Sequence, residues 1–133
     1  MQRELITFEV NGQIFGIDIM SIREIRAWTP VTPLPRVPHY VAGVVNLRGT
    51  VLPVVDLAAR LGWRATEATH RHAIIVAQID GQARGLIVDS VSDIVTIPDG
   101  ALHPPPVTGD DAMIHFIDGL AAIDDTMVMV LAL

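Results

Sequence analysis

Five histidines and eleven aspartates carry most of the chemistry within reach of this 133-residue sequence. His70 and His72 are two apart and would share one face of a strand, but no third ligand follows at a spacing that completes a metal site. His39, His103 and His115 each stand alone, near prolines or strand starts. Asp110-Asp111 and Asp124-Asp125 fall where turns are expected, and aspartate is common in turns for backbone reasons. No serine sits in a nucleophile elbow. Gly81-Gln82-Ala83-Arg84-Gly85 lacks the lysine of a phosphate loop. These residues assign no catalytic, cofactor or metal site. A His/Asp metal-dependent or hydrolytic enzyme stays open without a motif to support it.

Arg48 remains, with Glu24 and two sets of apolar residues. Gly43 to Leu57 holds two apolar runs around Asn46, Arg48, Gly49 and Thr50. This reads as a β-hairpin whose loop is longer than two residues, with Gly49 free to take positive φ and Arg48 displayed beside the tip. Asp56 is placed to cap a short helix, Leu57 to Leu61, which Gly62 stops. One arginine held on a β scaffold suits a binding surface better than an active site.

The elements that position these residues read as nearly all strand. Leu5–Val10 with Ile14–Ile19, Val44–Leu47 with Val51–Val55, Ala73–Ile79 with Ala83–Val88, and Ile114–Ile123 with Met127–Leu133 form four hairpins. The first, third and last turn at Asn11-Gly12, Asp80-Gly81 and Asp124-Asp125. Short strands at regular spacing indicate a small barrel or sandwich. Ser21 precedes Glu24 by three and Ser90 precedes Asp93 by three, the signature of a capped helical turn. Such turns would set Ile22 beside Ile25, and Val91 beside Ile94.

An internal repeat runs through this pattern. Gly12–Ile25 aligns with Gly81–Ile94 at an offset of 69, and Gly43–Leu57 with Gly119–Leu133 at an offset of 76. Two β units with the same hairpin order would produce it. The proline-rich stretches Thr29–Pro38 and Pro104-Pro105-Pro106 read as ordered crossovers. Thr66–Thr69 and Thr108–Ala112 read as the most mobile loops.

Composition narrows the function. One domain, residues 1–133, is the default at this length. Hydrophobic residues make up 50% and mean hydropathy is +0.45, so part of the apolar surplus is expected to face a partner. Net charge is −6, and the nine arginines are scattered with no lysine, which argues against nucleic acid. No apolar run is long enough to span a membrane, so no direct membrane insertion is expected. The start Met1-Gln2-Arg3-Glu4 is unlike a signal peptide and there is no cysteine, both consistent with a cytoplasmic location.

Several ordered blocks then resemble one family along almost the whole chain. They are Phe15-Gly16-Ile17, Ile22-Arg23-Glu24-Ile25-Arg26, Tyr40 to Gly49 and Leu52-Pro53-Val54-Val55-Asp56-Leu57, followed by Gly85 to Val91 and Pro104-Pro105-Pro106. The chain resembles the CheW-like coupling proteins of bacterial chemotaxis. The resemblance implies an all-β fold of two SH3-like five-stranded β-barrel subdomains joined in one domain, without catalysis or cofactor. It implies an adaptor between the cytoplasmic tip of a chemoreceptor, a helical hairpin, and the regulatory domain of the CheA histidine kinase.

Residue by residue, the family pattern places Ile22, Val91 and Ile94 in a receptor groove between the barrels, with Gly43 near the same surface. It makes Glu24 and Arg48 an ion pair at the junction of binding surfaces. It also implies a C-terminal helix beyond Leu133, which this sequence does not contain. The same domain occurs in CheV-type adaptors, in the kinase itself and in other two-component systems.

Overall fold

Turn residues divide the chain into short strands. The computed structural model describes residues 2–79, 81–98, 100–104 and 117–132. Strand β1 (Arg3–Val10) turns through Asn11-Gly12 into β2 (Gln13–Asp18), with both turn residues at positive φ, 54° and 77°. A single 3₁₀ turn, Ile19–Ser21, leads into β3 (Ile22–Ala27). Then follow β4 (Val41–Leu47), β5 (Thr50–Asp56), a four-residue helix α1 (Leu57–Arg60), β6 (Ala73–Ile79) and β7 (Gln82–Val88). Strands β8 (Ser90–Ile97), β9 (Ile117–Ile123) and β10 (Thr126–Leu131) complete the described elements.

The strands form two five-stranded sheets, ordered β8-β1-β2-β10-β9 and β3-β6-β7-β5-β4. Moving every strand five places along the chain converts one order into the other. Each sheet therefore takes two strands from one half of the chain and three from the other. The register repeats too. Val130 lies opposite Gly16 in one parallel pair, and Val54 lies opposite Gly85 in the other. Those pairs are related by the offsets of 76 and 69 seen in the sequence.

Both glycines are there for space. A Cβ on Gly16 would lie 3.2 Å from Val128 Cγ1, and one on Gly85 would lie 2.9 Å from Ile74 Cγ2. The crossovers are equivalent as well. Thr32 exchanges two 2.9 Å backbone hydrogen bonds with Val44, and His103 exchanges bonds of 2.8 and 2.7 Å with Leu120. The stretch Thr29–Pro38 thus lies against a strand edge, where a missing amide donor costs little, and Pro104 directly follows the His103–Leu120 bridge.

Three apolar clusters follow from this interleaving. Leu5, Ile97, Ala121, Val128 and Val130 fill the first sheet, and Val45, Leu47, Leu52, Val54, Ile74, Val76 and Ile87 fill the second. The third lies between the sheets. Phe8, Val10, Phe15, Ile17 and Leu131 meet Val55, Leu57, Leu61, Ile75, Leu86 and Val88 there. Alternate residues of one strand serve different clusters: in β5, Leu52 and Val54 face the second sheet's own core while Val55 faces the shared one.

Several sequence expectations are corrected. The capped helical turns after Ser21 and Ser90 are strands β3 and β8. The 3₁₀ turn sits earlier and is capped by Asp18, whose carboxylate accepts from Met20 N at 2.9 Å. The β4–β5 loop is not longer than two residues, because Leu47 pairs with Thr50 across Arg48-Gly49. Asp56 precedes α1 without capping it, since its carboxylate accepts instead from Thr66 N at 2.6 Å and Thr66 Oγ1 at 2.7 Å. Thr66 is accordingly tied down rather than free. Gly62 does follow the helix end, at φ +92°. Asp80, residues 105–116 (with Thr108–Ala112, Asp110-Asp111 and His115) and Leu133 lie outside the described residues.

Candidate binding site

Arg48 and Gly49 form the whole β4–β5 turn, with φ of 52° and 84°. Two left-handed residues give a type I′ turn, whose twist matches that of the flanking strands. Asn46 Oδ1 accepts from Gly49 N at 3.0 Å and braces it. Arg48 is projected from this braced tip rather than from a loose loop. Its Nη2 lies 2.7 Å from Glu24 Oε1, and its Nη1 lies 3.5 Å from Glu24 Oε2. Strands β3 and β4 are the two outer strands of the second sheet, so the pair clasps its open side. Arg26 Nη1 approaches the same carboxylate at 3.6 Å.

The carboxyl of Glu24 is held below its ordinary range. The hydrogen bond from Arg48 is the largest cause; partial desolvation opposes it, and the charges of Arg48 and Arg26 add to it. The Arg48 side chain is 73% exposed and that of Glu24 27%, so water screens the pair and it contributes orientation more than stability.

The apolar residues are set by two bulges. In β3, Ile22 pairs with Ala77, Glu24 with Val76 and Ile25 with Ile75, leaving Arg23 without a partner. In β8, Val91 pairs with Phe8, Asp93 with Thr7 and Ile94 with Ile6, leaving Ser92 over. An extra residue shifts the alternation by one, so residues three apart share a face. Ile22 is thus on the face of Ile25, and Val91 on the face of Ile94. The adjacency inferred from the sequence holds, although a bulge produces it rather than a helical turn.

Ile22 and Val91, equivalent positions in the two halves, are partly buried against the shared central core. Ile94 is 56% exposed. Gly43 sits in a further bulge of β4 at φ +150°, and a Cβ there would come within 2.0 Å of Thr32 O. Its own place is dictated by the crossover running over it.

Two contributors were missed by the sequence reading. Thr7, buried in β1, accepts from Asp93 N at 3.1 Å and donates to Asp93 O at 3.2 Å, which holds the β8 bulge in shape. A lone hydroxyl in the apolar run Leu5–Val10 was its signal. Arg26 adjoins Glu24 because residues two apart on a strand share a face, and the bulge at Arg23 sets that face toward the second sheet's core. Reading a helical turn after Ser21 hid this. Among the described residues no three His, Cys, Asp or Glu side chains could hold a metal ion, and no helix is long and apolar enough to cross a membrane.

Comparison with known proteins agrees with this geometry. The CheW-like domain family matches residues 4–133. "Chemotaxis protein CheW" of Rhizobium meliloti (strain 1021) is 51% identical over 131 residues, covering 98% of this chain and 84% of the relative. "Protein FrzA" of Myxococcus xanthus is 31% identical over 116 residues, covering 87% and 72%. The crystal structure of the scaffolding protein TtCheW from Thermoanaerobacter tengcongensis superposes with a TM-score of 0.89 at 34% identity. It covers 100% of this chain and 86% of that one.

Proposed function

This chain belongs to the CheW-like domain family and is a coupling adaptor of chemotaxis signal transduction; we propose that what it couples are the cytoplasmic tip of a chemoreceptor and the regulatory domain of the CheA histidine kinase. It does so as one domain in the cytoplasm, without catalysis. The receptor's helical hairpin would lay its apolar face against Ile22, Val91 and Ile94 by i, i+3, i+4 anchoring. In this reading Gly43, packed under the Thr32 crossover, would lie near the same surface, and the Glu24–Arg48 clasp would fix the junction of the binding surfaces.

The observation that carries this reading is the arrangement of Ile22 and Val91. The two halves bring them, as equivalent residues, to the margin of one shared core, partly covered and backed by rigid sheet. This supports reading them as part of a preformed docking edge. An interface of roughly 1,200–2,000 Å² in total would be specific yet reversible, and signalling through it is a shift in population between arrangements of the complex.

Co-sedimentation of the chain with a receptor cytoplasmic fragment and the kinase regulatory domain tests the proposal. Both should bind the parent chain, and Arg48→Glu should weaken capture. Full binding of both partners to a folded Arg48→Glu, Val91→Asp double variant would overturn the site assignment. One relative, Protein FrzA, is not named for chemotaxis, which leaves a second reading, a CheW-like module in another two-component pathway. Which receptor co-sediments decides between them.

A further inference from the structure

Beside the clasp lies an open depression of about 620 Å³ at the end of the second sheet's core. Leu47, Leu52 and Val76 form its floor, and Arg23, Glu24 and Arg48 stand around it. Arg26 joins the group through its 3.6 Å contact with Glu24. Two guanidinium groups thus meet one carboxylate and a third, that of Arg23, lines the same depression, on a chain whose net charge is −6. Arg23 is tied only to a neutral group, donating Nε to Gln78 Oε1 at 2.7 Å. Among the described residues no carboxylate pairs with it. Arg26 Nε is buried without a hydrogen-bond partner.

The fold does not demand this charge. At the equivalent positions of the other half, Arg23 becomes Ser92, Arg26 becomes Val95, and Arg48-Gly49 becomes Asp124-Asp125, which makes the same left-handed turn at φ 47° and 65°. Glu24 becomes Asp93. One scaffold therefore carries a cationic end and an anionic end at matched places. Folding explains the turns and the bulges, but not the arginines.

We propose that this depression is a docking face for an acidic, apolar peptide segment of a partner protein, with leucine-like side chains on the floor and carboxylates received by Arg23 and Arg26. Arginine is suited to this because its planar fork binds carboxylates in two-point fashion. The apolar floor and the chain's overall negative charge disfavour a polyanion such as nucleic acid. The partner's identity rests on the adaptor reading; the chemistry of the face does not.

The test is an amide-shift titration of the isotope-labelled full chain. The probe is a capped peptide of alternating glutamate and leucine, compared with its glutamine–leucine twin. The glutamate peptide should produce saturable shifts at β3, Arg48-Gly49 and Val76, weakening as salt rises. The glutamine twin and Arg23→Glu should each weaken binding by about fivefold or more, whereas Arg71→Glu should leave it unchanged. Equal affinity for the two peptides, absence of saturable shifts, or shifts centred on Ile94 would overturn the proposal. So would peptide-free self-association that places the Asp124-Asp125 turn in the depression. None of these results touches the adaptor reading, which receptor and kinase binding test separately.

Discussion

Arg48 holds Glu24 through both terminal guanidinium nitrogens, at 2.7 and 3.5 Å, from a turn whose two residues are both left-handed. The clasp is therefore a property of backbone geometry as much as of charge. A two-residue type I′ tip has few conformations to sample, so the arginine arrives pre-aimed.

The titration of Glu24 follows from this. Its folded pKa lies below the ordinary value because the hydrogen bond and charge of Arg48 favour the carboxylate. A depressed acid contributes above its unfolded pKa and loses that contribution as pH falls through the folded one. The clasp should persist from neutrality down past the usual glutamate range, about pH 4.3, and open only below it. In Arg48→Gln, carboxyl-detected NMR should show the Glu24 midpoint rising toward its ordinary value. An unmoved midpoint would mean that the pair is not made in solution.

Gly43 offers a backbone test. An added Cβ would meet Thr32 O at 2.0 Å and Pro33 Cα at 2.9 Å, both backbone-bound and unable to yield like a flexible side chain. Gly43→Ala should cost about 2–4 kcal/mol in urea unfolding and break the Thr32–Val44 bridge. Gly62→Ala, at φ +92° with nothing within 4 Å, should cost only about 1 kcal/mol, from its φ alone.

What was legible in the sequence divides along physical lines. The Asn11-Gly12 hairpin and the 69- and 76-residue offsets were legible, because turn chemistry and repetition are local signals. The strands β3 and β8 were not. Ile22-Arg23-Glu24-Ile25 and Val91-Ser92-Asp93-Ile94 space their apolar residues by three, which in isolation means helix. Only the partner strands show that an extra residue produces the spacing. Asp56 failed similarly: its position before a helix suggested a cap, but Thr66, ten residues on, claims both carboxylate oxygens. The interleaving of the two halves was invisible locally, since β2·β10 and β5·β7 are long-range parallel pairings.

The shared core predicts a single unfolding unit. Phe15 is fully buried, stacks on Phe8 at 6.0 Å and meets Trp63 edge-on at 6.0 Å. Phe15→Ala should cost about 3–5 kcal/mol. Trp63 reports on the shared core and Trp28 on the second sheet's own core. Their emission should change at the same denaturant concentration, because neither sheet can keep its outer face covered alone. Two separated transitions would show instead that the sheets fold independently.

The receptor surface is best tested at Ile94, because the repeat provides an internal control. Ile94 and Ile25 are equivalent residues on β8 and β3, each placed after a bulge and exposed by 56% and 43%. Neither substitution to aspartate removes a buried side chain, so both variants should keep their thermal midpoint, with stability changes within about 0.5 kcal/mol. Val91 is a poorer probe, since its partial burial against the central core confounds binding with folding. If the receptor helix docks on β8, Ile94→Asp should weaken binding of a receptor cytoplasmic fragment by about tenfold or more, the loss expected when a desolvated apolar anchor becomes charged. Ile25→Asp should leave that affinity within about twofold, and the kinase regulatory domain should still bind the Ile94 variant. Calorimetric titration of the two variants measures this directly. Equal losses would extend the receptor surface along β3 beyond Ile22, and loss only in the Ile25 variant would move its exposed anchor from β8 to β3.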